Sequence, residues 1–268
     1  MPHRDAITEA LRQGAARGGP ALVGFLTAGF PDRESFADRL AAIAGAVDVV
    51  EIGVPFSDPM ADGVTIQRSS RVALERGATL TWIFETLAAL PARPRAPLVL
   101  MSYLNPLLTH GIRRLPASAR AAGLSGFIVP DLPWEECADL RGAVAGEGLA
   151  LVQMVTPLTP AARLEMLARE SLGFVYAVTA TGTTGREVAM PDEVLAYLDR
   201  VRTVAQIPVC AGFGIRNAAQ VRRLAGHADG VIVGSALVDV MDTGGDPAEF
   251  LGGLRSRSAG VSAVGTGA

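Results

Sequence analysis

The 268-residue chain contains no lysine; each of its 24 basic residues is arginine. Without a side-chain amine there is no Schiff base with a carbonyl substrate and no covalent anchor for pyridoxal phosphate, so a lysine-type aldolase is excluded. Histidine is nearly as scarce. His3, His110 and His227 are too few and too scattered for a catalytic zinc site of several imidazoles, and they are assigned no role. Two cysteines, Cys137 and Cys210, make no disulfide framework. A net charge of −3 with no basic patch argues against nucleic acid. No apolar run reaches the roughly 18 residues of a spanning helix, which argues against a membrane. The opening MPHRDAITEALRQ lacks the apolar core of a signal peptide, so the expected location is cytoplasmic. The carboxylates are left to carry any chemistry.

What the chain has in quantity is short apolar runs. They start at Ala21 (ALVGFLT), Val47 (VDVVEIG), Ala96 (APLVLMS), Ser125 (SGFIV) and Leu149 (LALVQMV), then at Leu172 (LGFVYAV), Ile207 (IPVCAG) and Asp229 (DGVIVG). Each is trailed by a helical pattern. Eight strands alternating with amphipathic helices in about 250 residues is the count of a single (β/α)8 TIM barrel of the α/β class rather than an open doubly wound sheet. The doubly wound alternative lacks its fingerprint, since GFGIRN from Gly212 matches only the first two glycines of the dinucleotide motif. Residues 4–17 read as a leading N-terminal helix able to plug one end of the barrel. The barrel is expected over 1–255, and the small, polar residues 256–268 as a disordered tail.

The densest chemistry lies in DVVEIGVPFSDPMADGVTIQ, from Asp48 to Gln67. Glu51 is an ionisable side chain in the middle of a β-branched strand. Pro55, Pro59 and Gly63 then break regular structure and hold Asp58 and Asp62 just past the strand's carboxyl end, where barrels keep their active sites. On the residues alone two readings stay open: a catalytic acid, or a structural carboxylate paired with an arginine and aspartates that merely form turns. The loop after strand 6, from Thr179 to Met190, is longer than packing needs. It reads either as a lid, with Thr184 reaching an acid across the mouth, or as a solvated loop. Past strands 7 and 8, Gly212–Gly214 and the pair Gly234 and Ser235 offer backbone amides and a helix N-terminus suited to a phosphate. Glycines kept for tight turns are the plain alternative. A barrel that only binds a phosphorylated metabolite and a phosphosugar epimerase are rival functions. The first needs no Glu51, and the second wants a facing acid/base residue or a metal that the sequence does not clearly offer.

VEIGVPFSDPMADG followed by TIQ resembles the signature of the tryptophan synthase alpha subunit family, with Val64 where proline is usual. MSYLNP from Met101, IVPDLPWEE from Ile128, GFVYAV from Gly173 and AGFGI from Ala211 extend the likeness from about Leu22 to Leu254. Thr183 stands where the family usually has valine. The resemblance implies retro-aldol cleavage of indole-3-glycerol phosphate to indole and glyceraldehyde 3-phosphate. It implies Glu51 as the proton-moving acid and Asp62 as the anion at the indole N–H. It points to Phe25, Leu100, Tyr103, Ile128 and Phe213 as indole walls, with Tyr176 as a second acid/base or orienting group. Thr184 is the retained loop threonine, and Gly185, Gly214, Gly234 and Ser235 match the phosphate-binding positions. Asp131 is expected either to support the Tyr103 and Asp62 region or to cap the following helix. No cofactor or metal is expected in this chain, and pyridoxal phosphate only in a beta subunit docked around Pro55–Met60 and Asn105–His110 in an α2β2 heterotetramer. The alternative is a free-standing indole-3-glycerol phosphate lyase supplying another pathway.

Overall fold

The structure, a computed structural model, describes residues 3–179, 191–212 and 214–255. Eight parallel strands close into a barrel in sequence order: β1 (Ala21–Thr27), β2 (Val49–Gly53), β3 (Leu98–Met101), β4 (Leu124–Ile128), β5 (Ala150–Val155), β6 (Val175–Val178), β7 (Val209–Gly212) and β8 (Gly230–Val233). The register that closes it pairs Val23 with Val49 on one side of β1 and with Ile232 on the other. Seven of the eight apolar runs read from the sequence contain a whole strand, and β4 starts one residue ahead of its run, at Leu124. The expected (β/α)8 barrel is the fold observed.

Strand side chains alternate between two packing layers, because successive residues of an extended chain point to opposite faces. Leu22, Leu26, Val50 and Ile52 pack outward under the helices, whereas Val23, Val49, Val99, Cys210 and Ile232 fill the interior. Both faces of a parallel barrel are covered, which is why its strands read as unbroken apolar runs.

The outer ring has more helices than strands. The leading helix α1 (His3–Ala16) is followed by α2 (Phe36–Ala46), α3 (Val64–Glu75), α4 (Leu80–Ala88), α5 (Leu104–His110) and α6 (Leu115–Ala121). Then come α7 (Ala138–Gly146), α8 (Ala161–Glu170), α9 (Asp192–Val204), α10 (Ala218–Arg223), α11 (Ser235–Asp242) and α12 (Pro247–Arg255). None is long and apolar enough to cross a membrane among the described residues.

The leading helix plugs the barrel as its apolar stripe suggests. Ile7 and Leu11 are fully buried in the interior layer, and the Thr8 hydroxyl donates to the carbonyl of Gly173 at 2.7 Å, just before β6. Below this plug, Asp48 latches three parts of the chain together. It accepts from the Leu22 amide at 2.8 Å, from Arg255 of α12 at 2.7 Å and from Arg17 just past α1. Gly14 leaves the room this requires, since a Cβ there would stand 2.7 Å from the Asp48 carboxyl. The closed end is thus built at the strands' amino ends, and the other end is free for chemistry. Residues 256–268, expected as a disordered tail, lie outside the described residues.

Candidate active site

Glu51 sits on the interior face of β2, in register with Phe25 of β1 and Val99 of β3. It is 1% exposed, and its Oε2 is buried without a hydrogen-bond partner. Among the described residues no arginine reaches Oε2, so the structural ion pair left open by the sequence does not form there. An unpaired buried carboxylate is costly, so the group holds its proton instead. Burial, and after it the negative charge of Asp62, lifts its pKa from 4.5 to about 8.

Asp62 stands in the loop between β2 and α3. Its amide donates to the Pro59 carbonyl at 3.1 Å, and its own carbonyl accepts from the Gln67 side chain at 2.8 Å, so backbone and helix start fix it together. The Tyr103 hydroxyl accepts from the Ala61 amide at 2.9 Å and donates to Asp62 Oδ2 at 3.2 Å. Burial raises the Asp62 pKa to about 6, while the Tyr103 bond, which favours the anion, opposes the rise. At neutral pH the two acids are therefore in different states, Glu51 mostly protonated and Asp62 mostly ionised.

Both acids line one cavity at the strands' carboxyl ends, about 610 Å³ of space open to solvent. Its apolar walls are Phe25, Ile66, Met101, Ile215 and Ile232, and Tyr176 closes one side. Two glycines make room for the rings. A Cβ on Gly53 would lie 2.5 Å from the Phe25 ring, and one on Gly212 would clash with the edge of the Tyr176 ring. Gly214, Gly234 and Ser235 line the same cavity. Gly214 has φ +81° with nothing near its missing side chain, and Gly234 is the residue before the first turn of α11. Unpaired amides at such a helix start favour an anion.

The structure gathers Glu51, Asp62, Phe25, Tyr176, Gly214, Gly234 and Ser235 around this cavity. It corrects the expectation for Leu100. With Val99 facing inward, the period of two turns Leu100 outward into the helix-facing layer, and Met101 takes the place on the cavity wall. Ile128 faces the interior and pairs in register with Met101, yet does not line the cavity. Tyr103 borders a smaller adjoining pocket with Phe25, Met101 and Asp62, and its ring stacks on Phe56 at 5.0 Å. Asp131 accepts from the Leu104 amide at 2.9 Å. It ties down the start of α5 beside Tyr103, so it supports the Tyr103 region rather than capping the helix that follows it. Thr184, Gly185 and Phe213 lie outside the described residues, as does the loop beyond Thr179.

Met101, Thr65, Ile66, Ile215 and Ile232 escaped the sequence reading. For Met101 a signal existed, since it lies an even number of positions from Val99 on the same strand. His110 bonds Ser118 at 3.0 Å and His227 bonds Asp199 at 2.8 Å, both outside the cavity. Among the described residues no cluster could hold a metal, and both cysteines are free and buried.

A closed parallel barrel with two carboxyls in an apolar cavity at the carboxyl ends of its strands has the frame of a (β/α)8 barrel enzyme. A family model described as tryptophan synthase alpha chain matches residues 11–251, and the chain belongs to that family. It is 48% identical over 242 residues to a tryptophan synthase alpha chain of Nitratidesulfovibrio vulgaris strain DP4, covering 90% of this chain and 94% of the relative. A Chloroflexus aggregans alpha chain is 42% identical over 238 residues, 88% and 89% of the two chains. Among solved structures, Mycobacterium tuberculosis tryptophan synthase superposes with a TM-score of 0.85 at 34% identity, covering 92% of this chain and 96% of that one. The tryptophan synthase a2b2 complex from Pyrococcus furiosus gives 0.82 at 35%, covering 88% and 98%.

Proposed function

We propose that the chain cleaves indole-3-glycerol phosphate to indole and glyceraldehyde 3-phosphate as the alpha subunit of a tryptophan synthase, with Glu51 moving both protons. The observation that carries this reading is the unpartnered, protonated carboxyl of Glu51 facing an apolar cavity beside an ionised Asp62.

Retro-aldol cleavage breaks the bond between the indole ring carbon and the first carbon of its side chain. The ring carbon must gain a proton, and the hydroxyl on the departing carbon must lose one as it becomes the aldehyde. Glu51 starts protonated, donates to the ring carbon, and as carboxylate takes the hydroxyl proton while the bonding pair returns to the ring. It ends as it began, so no external base is consumed. Protonating the ring places positive charge at the indole nitrogen, and anionic Asp62 accepts from that N–H, strongest where charge develops. Phe25 and Met101 flank the ring, and Tyr176 orients it from the side. The phosphate seats on the amides of Gly214, Gly234 and Ser235. Thr184 and Gly185, which the family resemblance assigns to the loop and the phosphate, lie outside the described residues.

The beta subunit docks at the barrel mouth. Met60 is 86% exposed and Leu108 is 53% exposed, an apolar residue on each of the two stretches Pro55–Met60 and Asn105–His110. Pyridoxal phosphate belongs to that partner, because this chain has no lysine to hold it. The relatives named as alpha chains and the a2b2 neighbour favour this over the free-standing lyase. The test is release of indole from indole-3-glycerol phosphate by the purified chain, alone and with saturating beta subunit. We expect release, strongly stimulated by the partner. No release in either case overturns the reaction, and full activity without response to the partner overturns the docking.

A further inference from the structure

The side-chain network behind the cavity joins its two chemical ends. Asp239, in the middle of α11, accepts from Arg216 of the segment after β7 at 3.0 Å and from the Thr65 hydroxyl of α3 at 3.3 Å. One turn on, Asp242 pairs with Arg68 of α3 at 2.6 Å, and Arg68 also approaches Asp239 at 4.0 Å. Asp239 and Arg216 do not line the cavity, but Arg216 directly follows Ile215 and Asp239 lies four residues past Ser235, both of which do. Gly214 is two residues before Arg216, and Ser235 opens the helix that carries Asp239. On the other side, Thr65 lies three residues after Asp62, and Gln67 of the same helix turn holds the Asp62 carbonyl at 2.8 Å.

From this we infer that Asp239 is a positioning residue. It ties the anion-binding end, formed by the segment after β7 and the start of α11, to the start of α3, and so couples the seating of the phosphate to the placement of Asp62. The inference rests on the reading that Gly214, Gly234 and Ser235 hold the phosphate. The side chains of Arg216 and Asp239 are 39% and 37% exposed, and pairs this open to water contribute little to stability. Their contribution is geometric. With α11 and the segment after β7 fixed by the bound anion, the Asp239 carboxylate leaves α3 one position, and a misplacement of about 1 Å in a catalytic group is enough to cost rate heavily.

The variants are Asp239→Asn, Arg216→Gln and the two combined, measured for kcat and KM with indole-3-glycerol phosphate, for Kd with glycerol 3-phosphate as probe, and for Tm. Asp239→Asn is expected to lower kcat about tenfold while Kd for the probe changes less than about threefold. Its Tm should stay within about 2 °C of the parent. The double variant should be no worse than Asp239→Asn alone, because both break one network. Arg216→Lys, which keeps the ion pair, should recover most of the kcat lost in Arg216→Gln. A parental kcat in Asp239→Asn, or losses that simply add, overturns the coupling while leaving the phosphate site standing, provided the parent binds glycerol 3-phosphate. Failure of the parent to bind the probe overturns the phosphate site and the coupling with it. Should Asp239→Asn not fold, Arg216→Gln decides alone: a fall in kcat supports the coupling and an unchanged kcat overturns it.

Discussion

The Tyr103 hydroxyl donates to Oδ2 of Asp62 while accepting from the Ala61 amide, so one phenol from β3's end holds both the backbone and the side chain of the β2 loop. A hydrogen bond given to the ionised form lowers a carboxyl pKa. Tyr103→Phe should therefore push the Asp62 pKa above about 6 and move the acidic limb of the pH–kcat profile upward. The fall in kcat should be about tenfold at neutral pH and smaller at pH 8, read from initial rates across pH. An unmoved limb would separate Tyr103 from Asp62 in function.

Glu51→Gln keeps the shape of the side chain but cannot pass a proton. Cleavage should fall by about a thousandfold or more with the fold unchanged by circular dichroism. The same variant tests the burial of the acid. Its folded pKa is raised from 4.5 to about 8, so the folded protein keeps a proton that the unfolded chain releases. Stability from this group is complete below about pH 4.5 and is lost as pH rises through 8, by up to about 5 kcal/mol. Denaturant titrations at pH 6 and pH 9 should show the variant losing less stability than the parent over that range.

Asp62→Asn removes the anion beside the indole nitrogen, and kcat should drop by about a hundredfold. Affinity for glycerol 3-phosphate should survive, because Gly214, Gly234 and Ser235 are untouched. The charge of Asp62 is also the second cause of the raised Glu51 pKa. Any residual activity should accordingly show its alkaline limb at lower pH, a shift that steady-state rates between pH 6 and 9 will detect.

Gly212→Ala sets a methyl group against the edge of the Tyr176 ring. Overpacking of this kind costs about 1–3 kcal/mol and forces the ring to turn. Tm should fall, and KM for the substrate should rise more than kcat falls, since the ring borders the cavity without carrying a proton. Gly214→Ala, by contrast, meets no neighbour, and its cost comes from the backbone at φ +81°.

What the sequence determined by itself was local. Apolar runs such as ALVGFLT became strands because β-branched and apolar residues bury on both faces of a parallel barrel. Ile7 and Leu11 became a plug because they share one helix face. Glu51 stood out because an acid inside such a run has no cheap structural explanation, and Asp62 because prolines and a glycine keep its loop irregular. What only the tertiary structure decided depends on closure. The register across β2 and β3 turned Leu100 outward and Met101 toward the cavity, a choice that hangs on one residue of pairing. The meeting of Thr65, Arg216 and Asp239 joins residues up to 174 positions apart, brought together when β8 returns to β1. No local pattern encodes that approach, because each of these side chains alone reads as an ordinary polar residue of a helix or loop, and only the ring of strands sets those segments against one another.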